Sequence, residues 1–299
     1  MKSRTGSLRS GPAARAGALA LALVRSDGIL RRSSIASVAA LVLAGCAHSG
    51  NPGGACCDGA ERYPGWLIKA YEPVAPVLGE AFGRVVMRRG LLVEKPDALR
   101  HIAKRLRPLD ILVVSSKGRL TGTLIPGLFS HTVVYVGSEA ELKALGAWND
   151  PAVRPHHADI RAGKVMIESD HRGVHLTTTA TALDTDRVVI LRPRATGSGH
   201  RAAARLLAHV GTPYDFYFDN SDAAELYCAE LVDHVMPEVG LPSRELYGRR
   251  MFLPDDAIDA ATSGRMRATP VLYVRATDAA WEDAGAAELK RDLAAAWRR

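Results

Sequence analysis

The stretch Gly211-Thr-Pro-Tyr-Asp-Phe-Tyr-Phe-Asp219, continued by Leu226-Tyr227-Cys228-Ala229-Glu230-Leu231-Val232, decides how the chain is read. It passes from turn-forming and aromatic residues into a helical pattern, and a cysteine stands at the junction. A sulfur there meets the unpaired N–H groups and the positive dipole end of a helix, which favour thiolate. The same N–H groups stabilise an oxyanion during acyl transfer. Cys228 is therefore a nucleophile candidate, and a buried inert cysteine is the alternative.

A cysteine nucleophile needs a base, and the base needs an orienting acceptor. His131 opens the apolar run Thr132-Val-Val-Tyr-Val136, just after the Gly/Pro loop that ends Gly127-Leu-Phe-Ser130. A strand edge beside a loop exposes an imidazole and still holds it rigidly. Glu168 closes Val165-Met-Ile, where a carboxylate at the end of a buried strand calls for a partner such as an imidazole N–H. Tyr214 is a candidate for the pocket wall.

Working outward, the pattern predicts helices over 64–89 (with Pro73 and Pro76 as breakers), 96–105, 139–145, 200–210, 227–239, 254–261 and 278–298. It predicts strands over 110–115, 132–136, 164–168, 187–192 and 271–275. Residues 116–130 and 146–163 read as loops. The fold class is α+β, a small antiparallel sheet packed against helices.

At this point the residues resemble a family. Leu128-Phe-Ser-His131-Thr-Val-Val-Tyr-Val-Gly137, Val165-Met-Ile-Glu168 and Tyr227-Cys228-Ala-Glu-Leu-Val232 are similar to the permuted branch of the NlpC superfamily, closest to its YiiX-like group. Asp110 in Leu109-Asp-Ile-Leu112, Gly211-Thr-Pro-Tyr-Asp215 and Leu253-Pro-Asp-Asp256 match further segments of that group. The likeness covers roughly residues 105–275. It implies a papain-like fold and a Cys-His-Glu cysteine hydrolase in the order His131, Glu168, Cys228, with no cofactor. Ala229 departs from the more usual Ser after the cysteine. The 146–163 loop and the last helix look like additions.

The N-terminus reads as an address. Arg31-Arg-Ser-Ser-Ile-Ala-Ser-Val-Ala-Ala-Leu-Val-Leu-Ala-Gly-Cys46 has a charged start, a short apolar run and small residues before a cysteine. The run is too short to span a bilayer, which takes about 20 residues. Its end resembles the bacterial lipobox. That implies diacylglycerol on Cys46, cleavage before it, N-acylation, and an envelope lipoprotein; with two membranes, Ala47 favours the outer one. A second apolar patch, Ala16 to Val24, is not needed by the signal and is consistent with an over-long gene start. The expected organisation is a signal over 1–45 (residues 1–23 the possible excess), a flexible tether over 46–62 that includes Cys56 and Cys57, a hydrolase domain over 63–277 and a terminal helix over 278–299.

The 299 residues are 47% hydrophobic and 24% charged, an ordinary globular balance. The net charge of +7 suggests nucleic acid at first. Yet Lys2, Arg4, Arg9, Arg15, Arg25, Arg31 and Arg32 face only Asp27 within residues 1–45, so the rest is nearly neutral and that partner loses its basis. His156, His157, Asp159, Asp170 and His171 match no compact zinc spacing, so no metal is expected. The expected function is envelope-anchored hydrolysis of an amide bond, with cell-wall peptide as a natural substrate. A lipid-directed acyl hydrolase or acyltransferase and a non-enzymatic binding lipoprotein are the alternatives. The expected partners are the membrane, through the lipid, and a peptide or acyl substrate.

Overall fold

A computed structural model describes Cys57 and residues 59–194, 198–220 and 223–298. The signal, Cys46 and Cys56 lie outside the described residues. Residues Ser49–Arg299 form one compact unit.

Three helices come first: α1 (Gly65–Tyr71), α2 (Ala75–Gly83) and α3 (Pro96–Ala103). The expected single helix over 64–89 is broken at Glu72–Val74, a 3₁₀ turn carrying Pro73, and it stops at Gly83. Next come β1 (Ile111–Val114), α4 (Leu120–Leu124), β2 (His131–Tyr135) and α5 (Glu139–Ala144). The expected loop 146–163 holds a 3₁₀ turn at Arg154–His156 and α6 (His157–Arg161). β3 (Met166–Asp170) turns into β4 (Gly173–Thr177), followed by α7 (Thr179–Ala182), β5 (Arg187–Pro193) and α8 (Gly199–Ala208). The nucleophile candidate opens α9 (Cys228–Val235), and the hairpin β6 (Arg244–Leu246) and β7 (Arg249–Met251) leads to α10 (Pro254–Thr262). β8 (Ala268–Ala276), β9 (Trp281–Ala284) and α11 (Ala286–Trp297) close the chain. The helix expected over 278–298 is thus corrected: its first part is a strand paired with β8.

One antiparallel sheet of seven strands organises the molecule, in the order β4-β3-β2-β1-β5-β8-β9. Side chains alternate across it with period two. Ile111, Val113, Val134, Ile167 and Val189 face a core completed by Leu231, Val232 and Val235 of α9, Leu206 of α8 and Ile258 of α10. Leu112, Val114, Val133, Met166 and Ile190 face a second core, with Ile102 of α3 and Leu183 after α7. This explains why β1 is a continuous apolar run: both of its faces are buried.

Cys57 and Ala60, expected within a flexible tether, are buried. Ala60 is buried with Leu246 and Leu253, and the Arg244 guanidinium donates to the Cys57 carbonyl. Cys57 is disulfide-bonded, so Cys228 carries the free thiol among the described cysteines.

Candidate active site

The β2–β3–β4 register builds the site. Val133 pairs with Glu168, and Glu168 pairs with His175. Period-two alternation then sets His131, two residues before Val133, on the same face as Glu168 and His175. His131 Nε2–H donates to Glu168 Oε2 at 2.7 Å. Glu168 is central in β3 rather than at the strand end expected from sequence, because β3 runs on to Asp170.

α9 packs across β2 and β3 and delivers the sulfur. Its entry is held from several sides. Ser169 Oγ donates to the Leu226 carbonyl, and Leu226 N–H donates to Pro213 O at 2.9 Å. Tyr227 N–H donates to the Glu230 carboxylate at 3.2 Å, and Phe252 N–H to the Tyr227 hydroxyl at 2.8 Å. Cys228, 6% exposed, lies close enough to His131 for the two groups to act strongly on each other's charge. Since Nε2 is engaged by Glu168, the other ring nitrogen is left for the thiol.

The electrostatics of this group are those of an ion pair. Burial pushes the Cys228 thiol up, but the His131 charge and hydrogen bond outweigh it and hold the thiol below its ordinary range. Burial pushes the His131 imidazole down, but the Cys228 thiolate and then the Glu168 hydrogen bond raise it well above 6.5. Burial raises the Glu168 carboxyl, and hydrogen bonds from His131 and His175 reverse this to a net lowering.

Several supports carry no obvious sequence signal. Thr132, through its hydroxyl and its backbone, lowers the Cys228 thiol further. That hydroxyl is buried and has no hydrogen-bond partner among the described residues. His175 donates Nδ1–H to Gly173 O at 2.9 Å, and its Nε2 lies 3.4 Å from Glu168 Oε1. Asp255 is wholly buried and accepts N–H groups from Leu128 (2.7 Å), Phe129 (2.8 Å) and Trp297 (2.7 Å). It pins the loop that delivers His131. Burial pushes its carboxyl up to about 6, against those N–H donors. Gly127 in this loop has φ 92°, and a Cβ there would lie 2.1 Å from Asp255 Oδ2. Glycine is required on both counts.

Tyr214 sits against the Tyr227–Cys228–Phe252 cluster, edge-on to Phe216 and Phe218. Burial, reinforced by the Cys228 charge, raises its hydroxyl well above 10, so it remains a neutral phenol. Asp110 lies at the other end of β1, buried in a two-pronged pair with Arg192 (2.9 and 2.8 Å).

A buried thiol, imidazole and carboxylate brought together in this way are the groups that thiol acyl transfer requires. A family model described as permuted papain-like amidase enzyme, YaeF/YiiX, C92 family, matches residues 105–282. The chain belongs to this family. It is a papain-like cysteine hydrolase of the amidase/peptidase type, as the resemblance in its sequence implied. No curated protein and no solved structure matches it.

Two sets of residues in this amidase have metal-ligand chemistry. Three of those weighed from sequence are used otherwise: His156 Nε2 bonds Leu207 O, His157 bonds Trp148 O and stacks on that indole at 3.6 Å, and Asp159 pairs with Lys164. Glu168, Asp170 and His175 do offer ligand atoms within 4.8 Å of one another. However, the Arg172 guanidinium grips both oxygens of Asp170 and lies 2.8 Å from His175 Nε2. A guanidinium already occupies the cation's place.

Proposed function

We propose that this amidase is an envelope lipoprotein that cleaves an amide bond in a cell-wall peptide through a thioester on Cys228. The observation that carries the reading is a Cys228 buried at the mouth of a helix, beside a His131 that is hydrogen-bonded to Glu168. The Cys228 thiolate attacks the carbonyl carbon, and the carbonyl electron pair moves onto oxygen. The first turn of α9 offers N–H groups to that oxyanion. As the tetrahedral species collapses, the C–N bond breaks and the His131 imidazolium gives its proton to the leaving amine. A water then attacks the thioester while His131 takes its proton, the C–S bond breaks, and a carboxylic acid leaves. The proton on His131 restores the ion pair. Glu168 holds the ring and balances its charge throughout.

The N-terminal pattern ending at Cys46 supports export and lipidation. Among the described residues no helix is long and apolar enough to cross a membrane. A disulfide-bonded Cys57 fits an oxidising compartment. The test is incubation with γ-D-glutamyl peptides and, separately, with phospholipid esters, reading amine or fatty-acid release. Amine release that vanishes in Cys228→Ser supports the proposal. Ester cleavage alone would assign the site to lipid substrates, a reading favoured by the apolar segment described next.

A further inference from the structure

The residues from Trp66 to Met87 lie outside the family match. They also hold every exposed large hydrophobic side chain among the described residues. Trp66 is 66% exposed and Val77 73%, and Val74, Val85, Val86 and Met87 accompany them. Scattered apolar surface residues are ordinary, whereas such a concentration on one segment marks an interaction surface.

The other side of this segment meets the catalytic cleft. Gly79 and Gly83, four residues apart, share one face of α2. A Cβ on Gly79 would stand 2.3 Å from the Phe216 ring, and one on Gly83 would stand 2.4 Å from the His171 ring. Phe216 is edge-on to Tyr214, beside Cys228. His171 lies between Asp170 and Arg172, which brace His175. Helix α2 therefore touches both the loop before the cysteine and the turn beyond Glu168, and only glycine allows it to come so close.

We propose that Trp66–Met87 is a bilayer-contact element that seats the catalytic cleft against a phospholipid surface. Three observations name the occupant. Cys46 precedes Cys57, the first described residue, by eleven positions, and α1 follows at Gly65. With lipid on Cys46, residues 47–56 span at most about 35 Å, so the segment lies within reach of the bilayer. The exposed cations Arg62, Lys69 and Arg89 flank the apolar residues without a carboxylate partner among the described residues, which suits anionic head groups. Trp66, the most prominent aromatic here, is of the type enriched at membrane–water boundaries.

The tether argument rests on the lipidation of Cys46, but the test does not. The compact unit Ser49–Arg299 lacks Cys46 and the signal. It is mixed with vesicles of equal parts phosphatidylcholine and phosphatidylglycerol, sedimented, and compared with the double variant Trp66→Ser, Val77→Ser. Both side chains are exposed, and a melting curve confirms that the variant folds. The parent is expected to sediment with the vesicles, and the variant to partition roughly tenfold or more less. Bound vesicles are also expected to slow modification of Cys228 by a bulky, membrane-impermeant maleimide, read by peptide mapping. Three results would overturn the proposal: a parent that stays in solution, equal binding by both chains, or a dimer in ultracentrifugation that the double variant abolishes. Vesicle binding with unchanged maleimide modification would overturn the cleft-facing orientation. Failure of lipidation in cells would leave all these results standing.

Discussion

Cys228, His131 and Glu168 act on one another, so each predicts a different experiment. Cys228→Ala and His131→Ala should each abolish turnover, by roughly a thousandfold or more, with little change in melting temperature. A large drop in stability from either would show that packing is its main role. The sign of the pH dependence follows from the two shifts. The thiol is lowered and the imidazole raised, so the ion pair spans the interval between them. Alkylation of Cys228 should hold a plateau well below pH 8.5, the ordinary midpoint of a thiol being about that value. In His131→Ala only burial remains to act strongly on the sulfur, and the plateau should disappear. Glu168→Gln removes the charge opposite the ring, so the imidazole falls and the alkaline end of the active range moves to lower pH. Rate losses of roughly 10² to 10⁴ are expected from a misoriented imidazole. The folded Glu168 carboxyl is lowered, so its contribution to stability is present above about pH 4.3 and is lost as pH falls toward the folded value. Acid unfolding of the Gln variant should accordingly be less steep.

At the scale of elements, the loop before β2 and the helix α10 work as a unit. Asp255→Asn keeps the shape but turns an NH₂ toward backbone N–H donors. It should cost about 1–3 kcal/mol and slow Cys228 alkylation, since His131 is held by the pinned loop. A melting curve and the alkylation rate check the two effects separately. This scale is also where the sequence was hardest to read. Of the candidate trio, Cys228 and His131 stood at helix-entry and strand-start positions that the structure also gives them, whereas Glu168 was read at a strand end that it does not occupy. β1, β2 and β5 announced themselves as apolar runs. β4 did not, since Gly173-Val-His-Leu-Thr177 holds only two large apolar residues and its histidine serves the site. β9, Trp281-Glu-Asp-Ala284, is a polar edge strand whose place comes from β8, not from propensity. Asp255 and Thr132 gave no sign of their roles, because a carboxylate satisfied by distant N–H groups looks like any first-turn acid.

Over the whole molecule, the family-matched part is bracketed by additions that grip it. α11 buries Leu289 and Leu293. Its Asp292 accepts from Arg187 (2.6 Å), Arg275 (2.7 Å) and the Tyr273 hydroxyl (2.5 Å). Its Trp297 reaches Asp255, so a helix that the sequence marked as an addition touches the support of the loop before His131. Ending the chain at Gly285 should therefore lower stability by several kcal/mol, at about 1.5–3 kcal/mol per leucine, and should also depress Cys228 reactivity. Denaturant unfolding measures the first and alkylation the second; an unaltered thiol would show that α11 only adds stability.

The chain order has a consequence for synthesis. The imidazole and its carboxylate meet across the neighbouring strands β2 and β3 and are made well before residue 228. A ribosome releases the nucleophile last of the three, and α9 must then dock across a sheet already begun. Until it docks, the chain carries a base and its orienting acid but no sulfur to arm, so it stays chemically silent while it folds.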